Sequence, residues 1–196
     1  MLSAIENRRS IRKYKDIPVP RETIEKILSA GILAPSSKNR QPWEFIVVSG
    51  SSKKEMLAVM EQGLAREKET PLLPGSASFL QGAEYTMKVM AQAPVVILIM
   101  NPLGLPFHQK LTPEERIFEI CNSQSLGAAI ENMALMATAL GIGSLWVCDI
   151  YFAYAELEKW VGKKDQLFAA FVLGYADEMP AARPREPLES KVSWRT

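Results

Sequence analysis

Apolar residues recur at intervals of three and four through Ile24, Ile27, Leu28, Ile32 and Leu33, behind Pro20 and ahead of Pro35, and this spacing predicts an amphipathic helix. The β-branched and aromatic run Trp43-Glu44-Phe45-Ile46-Val47-Val48 predicts a strand, broken by Ser49-Gly50. Ser52 and Glu55 have the spacing of a capping box that opens a helix. Periodicity fades over residues 62–83 around Pro71, Pro74 and Gly75, which predicts a long excursion, either a lid or a plain surface loop. Residues 94–100 form an unbroken apolar run, as expected of a central strand covered on both faces. Thr112-Pro113-Glu114-Glu115 joins a capping residue, a first-turn proline and a reciprocal glutamate. The helix it opens runs to about Leu140, roughly 28 residues or about 42 Å. The second half of that helix, residues 126–140, is apolar on nearly every side except at Glu131, Asn132 and Thr138, so burial against a partner subunit is expected there. A short strand at 144–147, a helix at 155–161 and a strand at 167–173 closed by Gly174 follow. The proline-rich tail, 180–187, is ill suited to a ladder and is expected to wrap over a surface.

Composition narrows the class. A chain of 196 residues, 47% hydrophobic and 23% charged, is globular and of a size for one domain over 1–196, with 62–85 variable and 180–196 an extended tail. With 23 basic and 22 acidic residues, the chain has no global field to hold nucleic acid or an anionic membrane. Two cysteines, Cys121 and Cys148, and a single histidine, His108, argue against a disulfide framework and against a metal site. The expected home is a reducing cytoplasm. No apolar run reaches the roughly 18 residues of a spanning helix, so neither export nor membrane insertion is expected.

Chemistry concentrates in two segments. If Arg8-Arg9-Ser10-Ile11-Arg12 is extended, Arg8, Ser10 and Arg12 share a face, and two guanidiniums and a hydroxyl converge on one anion. The polar loop of Pro35, Ser36, Ser37, Lys38, Asn39, Arg40 and Gln41 offers hydroxyls, amides and backbone N–H groups to a hydrogen-bonding ring system. Together they point to a phosphorylated cofactor. Arg183 and Arg185, on a segment stiffened by Pro184 and Pro187, form a second basic pair, and Lys88 is a further candidate charge. Gly141-Ile142-Gly143 follows a helix and lacks the third glycine of a dinucleotide fingerprint, so no permanent NAD(P)H-binding domain is expected. Cys148 is read as a small residue at the end of a buried strand, and His108 as surface or substrate-lining rather than catalytic. Trp43, Trp146 and residues 133–136 read as packing.

RRSIRKY, then APSSKNRQPWEFIVV, then AAIENMALMATALGIGSLWV, then the arginine-proline spacing of 183–189 resembles the nitroreductase-like flavoprotein superfamily over nearly the whole chain. The resemblance implies an α+β fold, with a central mostly antiparallel sheet flanked by helices and an intertwined homodimer with a long interface helix. It implies FMN as cofactor, bound in sites shared by both subunits. By position, Arg8 and Arg185 would hold the phosphate, with Arg9 and Arg183 beside them and Ser10 at the ribityl or phosphate end. Arg12, and with it Lys88, would lie near the N1–C2 carbonyl edge of the ring and give electrostatic support. Pro35, Ser36, Ser37, Asn39 and Gln41 would come from the other subunit, and the backbone of Trp146, Val147, Cys148 and Asp149 would lie against the ring. By the resemblance, Tyr85 stands near where many relatives carry an asparagine, and would line the substrate side instead.

The activity implied is hydride transfer from NADH or NADPH, a transient electron donor, to a small electron-poor acceptor such as a nitroaromatic or quinone, by alternating half-reactions. No protein nucleophile is required. Two other readings stand beside it. One is a specialised member of the same fold: a reductive dehalogenase, a flavin-fragmenting enzyme or a ring dehydrogenase. The other is a flavin-sequestering protein without turnover.

Overall fold

The computed structural model describes residues 2–72 and 75–195; Pro74, one of the residues placed at the excursion, lies outside them. In chain order the elements are α1 (Leu2–Asn7), α2 (Arg21–Ile32), β1 (Glu44–Ser49), α3 (Gly50–Glu69), α4 (Leu80–Gln92), β2 (Val95–Asn101), α5 (Pro113–Ala139), β3 (Gly143–Val147), α6 (Tyr154–Val161) and β4 (Gln166–Gly174). The strands form one antiparallel sheet in the order β1-β2-β4-β3.

The unbroken apolar run of β2 follows from its place between β1 and β4, with Ile97 paired to both Val47 and Phe171. Its odd residues, Val95, Ile97 and Ile99, join a core with α2 and α5 through Ile24, Ile27, Leu126, Ile130 and Met133. Its even residues, Val96, Leu98 and Met100, join a second core with α3, α4 and α6 through Met56, Met60, Val89, Met90 and Leu157. Two faces buried at once leave no position for a polar side chain, so alternation disappears.

The N-terminus of α5 has the expected capping box: Thr112 accepts from the Glu115 N–H, and the Glu115 carboxylate accepts from the Thr112 N–H. The Ser52/Glu55 box is not used. Helix α3 starts two residues earlier, at Gly50, whose φ of +58° turns the chain directly out of β1, so Ser52 and Glu55 lie inside the helix.

The excursion is also shorter than the lost periodicity indicates. Helix α3 continues to Glu69 and α4 begins at Leu80, so residues 62–69 and 80–85 are helical and the connection is confined to 70–79. The apolar signal fails because the buried face of this part of α3 carries Gly63 and Glu67 beside Leu64. Glu67 is held by Arg66 and by the Leu72 N–H at 3.0 Å, and Arg66 also reaches Glu156 of α6 at 2.9 Å.

The second half of α5 is largely covered by the chain itself. Leu126, Ala129, Ile130, Met133, Ala134 and Ala137 are buried under the sheet and α2. At the α2–α5 crossing a Cβ on Gly31 would fall 2.9 Å from the Met133 side chain, and Asn132 donates to the Ala30 carbonyl at 3.1 Å. The apolar side chains that α5 leaves most open lie earlier, at Ile117 (59% exposed), Phe118 and Ile120 (51%). The sheet and α2 cover one side of the later part, but Leu135 and Met136 stay half-buried and Leu140 exposed, so open apolar surface lies at 117–120 and along 135–140.

No helix among the described residues is long and apolar enough to cross a membrane, and no His/Cys/Asp/Glu cluster among them could hold a metal ion.

Candidate cofactor site

Residues 8–15 run extended from α1 and are stitched to two strands. The Ile11 N–H donates to the Ser144 carbonyl at the start of β3, and Lys15 N–H to Tyr175 beyond β4, both at 2.9 Å; the Asp177 N–H returns to Lys13 at 2.9 Å. Two glycines permit so close an approach. A Cβ on Gly143 would lie 3.0 Å from the Ile11 side chain, and one on Gly174 would lie 2.7 Å from both Tyr14 and Pro94. Tyr14 is buried, donates its hydroxyl to the Ile11 carbonyl at 2.8 Å, and has its pKa raised by burial first and by the Glu178 charge second.

The expected alternation holds at Ile11 and not at Arg9. Ile11 is buried, while Arg8, Ser10 and Arg12 line a cleft of about 410 Å³ that Arg9, Arg183 and Arg185 also line, so the two ends of the chain meet there. Glu6 is the one carboxylate among its lining residues, against five guanidiniums. Arg9 is committed internally, donating to the Glu6 and Arg8 carbonyls at 2.7 and 2.8 Å. Arg8 lies 3.7 Å from Glu131 of α5, and Arg12 reaches the Ser10 carbonyl at 3.2 Å. Among the described residues neither Arg12, Arg183 nor Arg185 is in an ion pair, so the cleft holds an excess of uncompensated positive charge. Its donors suit a phosphate.

Strand β3 leads from this cleft to the second expected segment. Ser10 bridges Ser144, and Cys148 lies four residues on, about 13 Å at 3.3 Å per residue. Trp146 is partly exposed and stands 3.6 Å from where a Cβ on Gly127 would be; Val147 is buried and Cys148 exposed. Although the residue as a whole is exposed, partial desolvation of the Cys148 thiol first and Asp149 second push its pKa up, which keeps it protonated at neutral pH and unlike a redox thiolate. Asp149 accepts a hydrogen bond from the Thr86 hydroxyl of α4.

Lys88 is not brought to this region. It is exposed in a separate groove with Lys54, Leu57 and Glu61. Thr86 is the α4 residue that reaches the end of β3, and sequence reasoning missed it. Its signal was present: with Ala83 and Met90, Thr86 falls at the i, i+3, i+7 positions of the buried stripe, where a polar residue is out of place. Tyr85 is exposed beside it.

Loop 35–41 does not line the arginine cleft of its own chain either. Its backbone is strained: Lys38, Asn39 and Gln41 all have φ near +50° (53°, 53° and 51°), a region that ordinary residues avoid. The Ser36 Oγ accepts from the Gln41 N–H at 3.0 Å, and the Ser37 N–H donates to Ser125 of α5 at 3.2 Å. Arg40 lies 4.4 Å over the Phe118 ring and, with Glu119 and Asn122, lines a second cavity of about 390 Å³. His108 is in an exposed loop, edge-on to Phe107 at 5.1 Å, and Phe107 stacks on Tyr151 at 5.7 Å.

Residues 5–175 match the nitroreductase family. A provisionally named NADH dehydrogenase/NAD(P)H nitroreductase of Methanothermobacter thermautotrophicus is 31% identical over 189 residues, covering 93% of this chain and 81% of that protein. Among solved structures, a provisionally named nitroreductase of Desulfovibrio desulfuricans in complex with FMN is 27% identical with a TM-score of 0.74, over 100% of this chain and 96% of that one. A BluB-like flavoprotein of Clostridium difficile 630 is 26% identical with a TM-score of 0.76, over 100% and 98% of the two chains.

Proposed function

The chain belongs to the nitroreductase family, and from that premise we propose that it is an FMN-dependent oxidoreductase that moves hydride from NADH or NADPH to a small electron-poor acceptor such as a nitroaromatic or quinone. The observation that carries this reading is the arginine cleft, assembled from both ends of the chain and holding more positive charge than its own carboxylate balances. FMN, when bound, supplies reversible hydride acceptance at N5. The residues present fit that group.

Arg8, Arg183 and Arg185 hold the phosphate by charge-assisted hydrogen bonds, with Ser10 adding its hydroxyl and Arg9 shaping the wall. Arg12 places a fixed positive charge toward the ring edge that gains negative charge on reduction. The backbone of 146–149 would flank the ring, and Thr86 donates its hydroxyl to the Asp149 side chain at that end of β3. Donor and acceptor occupy one open place in turn, so no separate nucleotide domain is required.

Loop 35–41, which does not line the arginine cleft of its own chain, serves the site of a second copy. A homodimer is further supported by the open apolar residues at 117–120 and by the free outer edge of β1, flanked by a groove of about 730 Å³ lined by Val19, Ile24, Leu28, Val47 and Val95. The tail exposes Leu188 (69%) and Trp194 (86%), apolar side chains that a partner subunit would cover. Sedimentation of the flavin-loaded protein is expected to give a dimer; a loaded monomer would remove the shared site.

The activity is tested on purified protein. Visible flavin absorbance, retention of FMN over riboflavin, and nitroaromatic- or quinone-dependent oxidation of NADH or NADPH are expected. Protein that carries no flavin and takes up none would sink the reading. Stable reduced flavin, unreactive with these acceptors, would instead place the chain among the specialised members of the fold.

A further inference from the structure

Next to the arginine cleft, in an adjoining groove lined by Arg9, Ile11, Met179 and Pro180, one carboxylate is used as a fastener. The Glu178 Oε1 accepts hydrogen bonds from two consecutive backbone groups, the N–H of Arg12 and, at 3.2 Å, the N–H of Lys13. The neighbouring Asp177 N–H donates to the Lys13 carbonyl at 2.9 Å, so residues 177–178 grip the arginine strand at the point where Arg12 leaves it. Beyond this point the polar ties end. Among the described residues, no hydrogen bond joins 179–186 to the body of the chain, and the bonds of Arg185 run only to the carbonyls of Arg183 and Pro184. Pro180 and Pro184 limit what the intervening backbone can sample. The direction in which Arg183 and Arg185 enter the cleft is therefore set at Glu178.

We infer that Glu178 is a positioning residue for anion binding: its carboxylate clasp on the Arg12 and Lys13 N–H groups holds the two arginine sets, from opposite ends of the chain, on one phosphate. The inference rests on the flavin reading above. A carboxylate beside a phosphate site is otherwise unfavourable, because its charge opposes the ligand's. For the site to bind a phosphate, the geometry this carboxylate enforces must outweigh that repulsion. Length, rather than charge, is then what matters at this position.

Two mild variants separate the possibilities. Glu178→Gln keeps the reach and an acceptor oxygen while removing the charge, and is expected to bind FMN within threefold of the wild type. Glu178→Asp keeps the charge but is one methylene too short to serve both N–H groups, and is expected to weaken FMN at least tenfold with riboflavin affinity unchanged. Arg185→Ala added to each background reads the coupling directly. It is expected to cost about tenfold in the wild type and in Glu178→Gln, but less than threefold in Glu178→Asp, where the arginine arm is already displaced. A purely structural role would weaken FMN and riboflavin in parallel and leave the Arg185 effect intact, which would overturn the inference. So would a Glu178→Asp protein with full FMN affinity, or a Glu178→Gln protein as weak as Glu178→Asp. Wild type that does not bind FMN overturns the flavin reading itself, whereas wild type that binds FMN with indifferent variants overturns only the clasp.

Discussion

Replacing Arg8 and Arg185 together by alanine is expected to weaken FMN binding at least a hundredfold while changing riboflavin affinity less than threefold. A hydrogen bond to a charged group is worth about 1.5–3 kcal/mol, and each 1.4 kcal/mol is tenfold in affinity, so two such contacts set an upper range of about 10²–10⁴. The lower end applies here. Arg185 is exposed and its contribution is screened by salt, whereas Arg8 is only 26% exposed at its side chain and steadied by Glu131. The single change at Arg8 is therefore expected to cost more than the one at Arg185, and the Arg185 effect to shrink as salt is raised. Fluorescence titration of apoprotein with FMN and with riboflavin reads both effects. Equal losses for the two ligands would mean that the arginines support the fold and not the phosphate.

Gly63→Ala is expected to destabilise the protein by about 1–3 kcal/mol, the usual cost of overpacking, although it replaces a helical glycine. Helix propensity alone favours alanine by about 1 kcal/mol. Packing decides the sign, because a Cβ at Gly63 would lie 2.3 Å from the Ala153 Cβ and 2.5 Å from its Cα, and backbone cannot swing aside as a long side chain can. Ala153 closes the short turn of residues 149–153 that also carries Asp149, so displacement there is expected to reach the end of β3. Gly82 of α4 is the control: nothing lies within 4 Å of its Cβ position, and Gly82→Ala is expected to be neutral or stabilising by up to about 1 kcal/mol. At about 2–4 °C per kcal/mol for a chain of this size, thermal unfolding separates the pair, and urea unfolding should move the midpoint at constant slope. A Gly63→Ala protein as stable as Gly82→Ala would show that the α3 crossing is looser than its geometry.

The Gly63 crossing also explains where sequence reasoning lost the chain. An amphipathic stripe is detected by its apolar side chains, and α3 meets its neighbour through the absence of one, with Glu67 buried beside it. The extent of helix α5 is legible because its capping box is local, whereas how much of its apolar second half its own chain covers is not. Nothing in residues 126–140 states that α2 will lie across them. Lys88 and Thr86 show the same limit at the site. Charge drew attention to Lys88, while the helical phase that turns Thr86 toward Asp149 was readable but carried no charge to mark it.

The sequence by itself determined what depends on near neighbours. Strand and helix identities followed from period and capping, and the shared face of Arg8, Ser10 and Arg12 followed from the two-residue repeat of extended backbone. The motifs carried the family as well, because their order along the chain survives without coordinates. Only the tertiary structure decided which distant segments meet. It brought Arg183 and Arg185 to Arg8 and Arg12, left loop 35–41 out of the lining of their cleft, and laid the Glu178 carboxylate on two backbone N–H groups more than 160 residues away in sequence. Backbone N–H groups are the same at every residue, so no pattern of side chains announces which pair a remote carboxylate will find.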